Sequence, residues 1–159
     1  MYQTSVRPDP AHAGVWHREP DHQLTFTGQA ASIRLMRDWI AQHSCLGYFQ
    51  CVEELTRDLL LCASELGTNA LQHTRSGLPG GVFTVSLWQS PDSRCLELRD
   101  MGPLSGSAKR PYLRQIDPAE NTADSGRGLR VVAHLCEGRC GFTAPPHPRG
   151  HTVWCELRA

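Results

Sequence analysis

The sequence holds a single lysine, Lys109, against fifteen arginines, and its 16 basic residues are balanced by 16 acidic ones. Proteins that grip nucleic acid through its phosphates carry a basic excess, so this neutral chain is not expected to bind nucleic acid directly. No apolar run approaches the roughly 20 residues that a membrane-spanning helix needs. The first twenty residues, MYQTSVRPDPAHAGVWHREP, lack the apolar stretch of a secretory leader, and a cytoplasmic location is the expectation. Seven cysteines are present, at 45, 51, 62, 95, 136, 140 and 155, but no CxxC pair. The nearest spacing, Cys136-x3-Cys140 with His134 before it, falls short of the two close ligand pairs of a structural zinc site. Without an export signal the thiols are expected to stay reduced and to pack as small hydrophobes. The phosphate-binding pattern GxxxxGK[ST] is also missing. Gly126-x-Gly128-x-x-Val131 lacks the third glycine of a dinucleotide fingerprint and follows no strand.

What is present suits one domain. The 159 residues are 40% apolar, enough for a single core. Residues 1–21 read as a flexible arm, and residues 22–159 as the folded unit. Residues 22–27 alternate as a first strand. In the next segment Ala30, Ile33, Leu35, Met36, Trp39 and Ile40 recur at helical spacing, with Ser32, Arg34, Arg37 and Asp38 on the wet side. Gly47 punctuates the connection that follows. Residues 50–73 carry the strongest helix signal: Leu55, Leu59, Cys62, Ala63, Leu66 and Ala70 form one stripe. A helix of about 22 residues would run roughly 33 Å. It ends before the turn cluster Ser76-Gly77-Leu78-Pro79-Gly80-Gly81.

Residues 82–88 and 94–100 then alternate as an antiparallel hairpin about Ser90-Pro91-Asp92-Ser93. Residues 102–126 are rich in Gly, Pro, Ser and charge, and so long a loop in a small domain suggests a functional lid. A short amphipathic helix over 128–136, a brief strand over 139–142, a turn marked by Pro145, Pro146 and Pro148, and a closing strand over 151–157 complete the chain. Hairpin-joined strands with helices clustered in sequence predict an α/β two-layer sandwich, its mixed and mostly antiparallel sheet carrying helices on one face.

Three segments could carry chemistry. Glu65 and Asn69 stand one helical turn apart, with His73 a further turn on. A carboxamide oxygen is a neutral hard ligand for Mg²⁺, and a carboxylate can take a proton from a hydroxyl. Asp100-Met101-Gly102 ends a strand. Its carboxylate can accept a hydrogen bond from an exocyclic amine such as N6 of adenine, and the glycine lets a flat base approach. Ser125-Gly126-Arg127-Gly128-Leu129 opens a helix, where free N–H groups suit an anion. Each segment alone also suits a plain role: a solvated helix face, an Asx turn, a loop before a helix.

In this order the segments resemble the ATP-binding domain shared by gyrase, histidine kinases and MutL, the Bergerat fold. Residues 65–73 resemble its N box, Asp100-Met101-Gly102 its first glycine box, and Ser125–Leu129 its second. Gly150-His151-Thr152-Val153-Trp154 resembles its closing strand. The chain is most similar to the small stand-alone anti-sigma-factor serine/threonine kinases, over roughly residues 22–158. A histidine kinase adds a dimerisation helix pair, and a topoisomerase or mismatch-repair ATPase adds a transducer domain; neither is expected within this length.

The resemblance implies ATP and Mg²⁺ as cofactors. Asn69 would hold the Mg²⁺, Asp100 would take adenine N6, and Gly102 would admit the base. Gly126, Arg127, Gly128 and Leu129 would line the phosphates, and residues 103–125 would form the lid. Glu65 would be the catalytic base, with His73 and Thr152 as further nucleotide contacts, Thr152 by helping to hold Asp100. Lys109, Arg110, Arg114 and Arg127 are all candidate cations for the γ-phosphate. The implied partners are a STAS-type anti-anti-sigma protein as phosphorylation substrate, a sigma factor, and a second copy of the chain, since related kinases dimerise through their N-terminal strand and helix. The alternative is an ATP-dependent interaction module with little or no turnover.

Overall fold

The computed structural model describes residues 19–44, 53–104, 127–143 and 150–159. The arm up to residue 18, Gly47, Cys45, Cys51, the three-proline turn, Gly126 and nearly all of the lid segment lie outside the described residues. Strand β1 (His22–Thr27) leads into helix α1 (Ala30–Ser44) and the long helix α2 (Glu53–His73). A single 3₁₀ turn (Arg75–Gly77) precedes the hairpin of β2 (Val82–Gln89) and β3 (Ser93–Arg99). Helix α3 (Arg127–Leu135), β4 (Cys140–Thr143) and β5 (Thr152–Arg158) complete the order.

The five strands form one sheet in the order β1-β2-β3-β5-β4, and every described pairing is antiparallel. The antiparallel character expected from the hairpins thus extends across the described sheet. Alternation along each strand sends Phe26, Phe83, Val85, Leu87, Leu96, Leu98, Cys155 and Leu157 into a single core beneath the helices. Phe26 stacks on Phe83 with ring centroids 5.5 Å apart and meets the edge of Trp39 at 6.0 Å, which ties the edge strand to α1.

Helix α2 is the spine of the domain. Its buried residues are Leu55, Leu59, Cys62, Ala63, Leu66, Gly67 and Ala70, the stripe anticipated from spacing with Gly67 added. It packs on α1, on α3 and on strands β3 and β5, so one helix touches every structure that later forms the site. Burying a leucine such as Leu59 completely is worth about 2 kcal/mol.

Helix α1 departs from its expected faces. Leu35 and Ala30 are exposed, and Ser32, expected on the wet side, is buried. Ser32 sits at the first turn, where its hydroxyl meets the Thr27 hydroxyl at 3.0 Å and its N–H donates to the Gln29 carbonyl. Ser32 lies four residues before Met36, on the face it shares with Met36, Ile40 and Ser44, so its position on the helix buries it in spite of its polarity. Cys62, Cys95, Cys136 and Cys155 are buried free thiols, in keeping with their reading as small hydrophobes. Burial pushes the Cys95 thiol well up, and Cys155 is raised by its hydrogen bond with Cys62 and by burial. Among the described residues no group of three or more His, Cys, Asp or Glu side chains could hold a metal ion.

Candidate nucleotide site

Asp100 follows the last residue of β3 and its side chain is almost fully buried. Its Oδ1 accepts from Gly102 N–H at 2.6 Å and from His151 N–H at 3.0 Å, while Asp100 N–H donates to the His151 carbonyl at 2.8 Å. Burial raises its pKa above the ordinary aspartate value, and the Gly102 and His151 N–H groups oppose that rise by bonding the ionised form. The His151 ring closes one side, with Nδ1 3.6 Å from Asp100 Oδ1. That nitrogen is buried and has no hydrogen-bond partner among the described residues.

Two glycines make this geometry possible. Gly102 has φ +85°, which lets its N–H turn back to the Asp100 carboxylate. Gly150 has φ +122°, and a Cβ there would overlap the Asp100 carbonyl oxygen. The closing strand can therefore pass close enough for the paired Asp100–His151 bonds only because residue 150 has no side chain. Thr152, expected to help hold Asp100, is half-buried at the start of β5 and pairs in register with Arg99 and Thr143. The bonds seen at Asp100 Oδ1 come from main-chain N–H groups, one of them that of the preceding residue, His151.

The residues expected to meet the phosphates come from α2 and from the start of α3. Glu65 and Asn69 are half-buried on α2, and His73 is exposed as its last residue. Gly128 stands in the first turn of α3, and a Cβ on it would overlap Glu65 Oε2. A side chain at residue 128 would displace the Glu65 carboxylate from the start of that helix. Leu129 packs against the core and anchors the turn, while Arg127 begins the helix. Of the candidate cations, Lys109, Arg110 and Arg114 lie outside the described residues.

Residues that spacing does not single out join the two halves. Thr74 Oγ1 donates to the Ala70 carbonyl at 2.6 Å and accepts from Ser76 N–H at 3.1 Å. Ser76 Oγ in turn accepts from Met101 N–H at 3.0 Å. Thr74 also bridges to Pro103. A buried Thr-x-Ser relay thus runs from the residue after Asn69 to the residue after Asp100. Its only sequence signal is a hydroxyl pair at a helix exit, a pattern that equally serves to stop a helix.

The sequence matches the family model of the histidine kinase-like ATPase domain over residues 26–154. The chain belongs to that family: it is a Bergerat-fold, ATP-binding domain. A search among curated proteins returns no match. No helix among the described residues is long and apolar enough to cross a membrane.

Proposed function

We propose that this chain is a cytoplasmic ATP-dependent serine/threonine protein kinase of the anti-sigma-factor type, with a STAS-type anti-anti-sigma protein as its substrate and a sigma factor as its second partner. The observation that carries the reading is the seat of Glu65, one helical turn before Asn69 and packed against Gly128 at the opening of α3. A base beside an anion-binding helix start and a magnesium ligand is what transfer to a hydroxyl asks for.

The residues present fit ATP and Mg²⁺. Asp100 offers a carboxylate already oriented by two N–H groups, and Asn69 offers a neutral oxygen suited to a cation shared with phosphates. Bound Mg·ATP supplies the terminal phosphoryl group and neutralises its charge. Asp100 would accept the adenine N6 hydrogen bond beside Gly102. Asn69 would hold the Mg²⁺, with His73 and Thr152 as outlying contacts. The main-chain N–H groups of Gly126, Arg127, Gly128 and Leu129 would face the phosphates. Glu65 would take the proton from the substrate hydroxyl as that oxygen attacks. Positioning and charge neutralisation supply most of such a reaction, so misplacing Glu65 should cost rate more than affinity.

Labelled ATP and a candidate STAS-type protein test the reading. Wild type should transfer label, and Glu65→Gln should lower the transfer rate by about 10²–10⁴-fold while binding ATP normally. Equal rates in the two proteins would remove Glu65 from its role. Wild-type ATP binding with no transfer to any such partner would favour the interaction-module reading.

A homodimer through β1 and α1 belongs to the same proposal. Strand β1 lies at the sheet edge, and Leu24 and Leu35 on this unit are 42% and 59% exposed. Sedimentation should show a dimer for wild type and a monomer for Leu35→Glu; a monomeric wild type would refute the dimer.

A further inference from the structure

We propose that Arg75 is the positioning residue for base recognition: it grips the Met101–Gly102 peptide from behind and so sets the direction of the Asp100 carboxylate. This inference rests on the reading of Asp100 as the group that takes the adenine amine.

Arg75 follows the end of α2 by two residues and opens the 3₁₀ turn. Its Nε and Nη2 donate to the Met101 carbonyl at 3.0 and 2.6 Å, and its own N–H donates to the Gly102 carbonyl at 2.8 Å. The Met101 carbonyl and the Gly102 N–H are two ends of one planar peptide unit. The guanidinium fork holds the carbonyl end, and the N–H end donates to Asp100 Oδ1 at 2.6 Å. Gly102 at φ +85° has no side chain to resist rotation of that plane, so the fork supplies the restraint that a Cβ would otherwise give. Polarising the carbonyl also strengthens the N–H as a donor. The Arg75 charge favours the ionised carboxylate as well, as one of the smaller influences on its pKa.

The same clamp links the two halves of the site. Arg75 sits between Thr74 and Ser76, whose hydroxyls carry the relay from Ala70 to Met101. The end of α2, beyond Asn69, is therefore tied by hydrogen bonds to the loop that carries Asp100.

Calorimetry on the full chain separates this role from a merely structural one. ATP reports both halves of the site, and Mg·tripolyphosphate reports the phosphate half alone. Arg75→Met should weaken ATP about tenfold or more and leave tripolyphosphate affinity unchanged. It should also move the pH at which ATP affinity falls upward, because Asp100 loses a favourable charge. Arg75→Lys restores the charge without the fork. It should recover the pH profile but only part of the affinity, and it serves as the measured variant if the methionine protein does not fold. Equal weakening of ATP and tripolyphosphate, or unchanged ATP binding in both variants, would overturn the proposal. If Asp100→Asn binds ATP as wild type does, the reading of Asp100 fails and this inference with it. Unchanged ATP binding in the Arg75 variants alone would overturn only the role of Arg75.

Discussion

Asp100→Asn should lose ATP affinity by about 100-fold or more while remaining folded. The carboxamide keeps one oxygen, which can still accept from Gly102 and His151, so the loop retains the bonds that shape it. What disappears is the second anionic oxygen. A site built to accept a hydrogen bond from a ligand amine loses heavily when it presents a donor instead, because two N–H groups then face each other without an acceptor. Calorimetric titration with ATP checks the affinity, and circular dichroism checks the fold. A variant with wild-type affinity would show that Asp100 is not the base-recognising group.

The same carboxylate gives a pH dependence with a defined sign. Burial raises the Asp100 pKa above 3.8 in the folded protein. On lowering pH, ATP affinity should therefore begin to fall at a higher pH than an ordinary aspartate would give, as the carboxylate takes up its proton. For stability the sign is opposite. The unfolded chain gives up this proton first, so as pH rises from about 3.8 through the folded pKa this group makes folding less favourable. Asp100→Asn removes both effects, and comparing the two proteins isolates the contribution of Asp100 from those of the other carboxylates.

Gly150→Ala should be among the most damaging single-methyl changes in the domain, costing about 3 kcal/mol or more. Its φ of +122° lies in a region that is essentially glycine's alone, worth about 1–3 kcal/mol of strain for alanine. Overlap of the new methyl with the Asp100 carbonyl oxygen adds a second cost, because the obstacle is backbone just past β3 that is tied to His151 by hydrogen bonds and has little room to yield. For a chain of this size the sum corresponds to a fall in Tm of about 10 °C. Gly80→Ala is the control. Gly80 also has positive φ, at +79°, but a Cβ there would meet nothing within 4 Å, so only strain of about 1 kcal/mol is expected. Thermal melts of the two variants distinguish close approach from strain. Equal losses in Tm would mean that the contact with Asp100 is not what residue 150 is required for. ATP affinity should fall in Gly150→Ala and stay unchanged in Gly80→Ala.

Much of this protein is legible in its residues alone. The stripe of α2, the β2–β3 hairpin and the closing strand follow from periodicity, because burial of apolar surface dominates each of those segments and acts locally on spacing. The order of Glu65, Asn69, Asp100 and Gly128 along the chain points to an ATP-binding domain, and the match over residues 26–154 agrees. Where residue polarity and helix position disagree, polarity misleads. Polarity sends Ser32 to water and Leu35 to the core, yet Ser32 stands four residues before Met36 on the buried face and Leu35 is exposed.

The sequence by itself therefore determined the elements, their order and the family. Only the tertiary structure decided how the site is held. Arg75, Ser76 and the main chain of His151 act on the Asp100 loop through hydrogen bonds that span 25 to 51 residues. The Glu65 carboxylate approaches Gly128 across two helices. Such bonds leave no periodic trace. They depend on where two distant backbones come to lie, and that is set by packing of the whole core rather than by the spacing of any one segment.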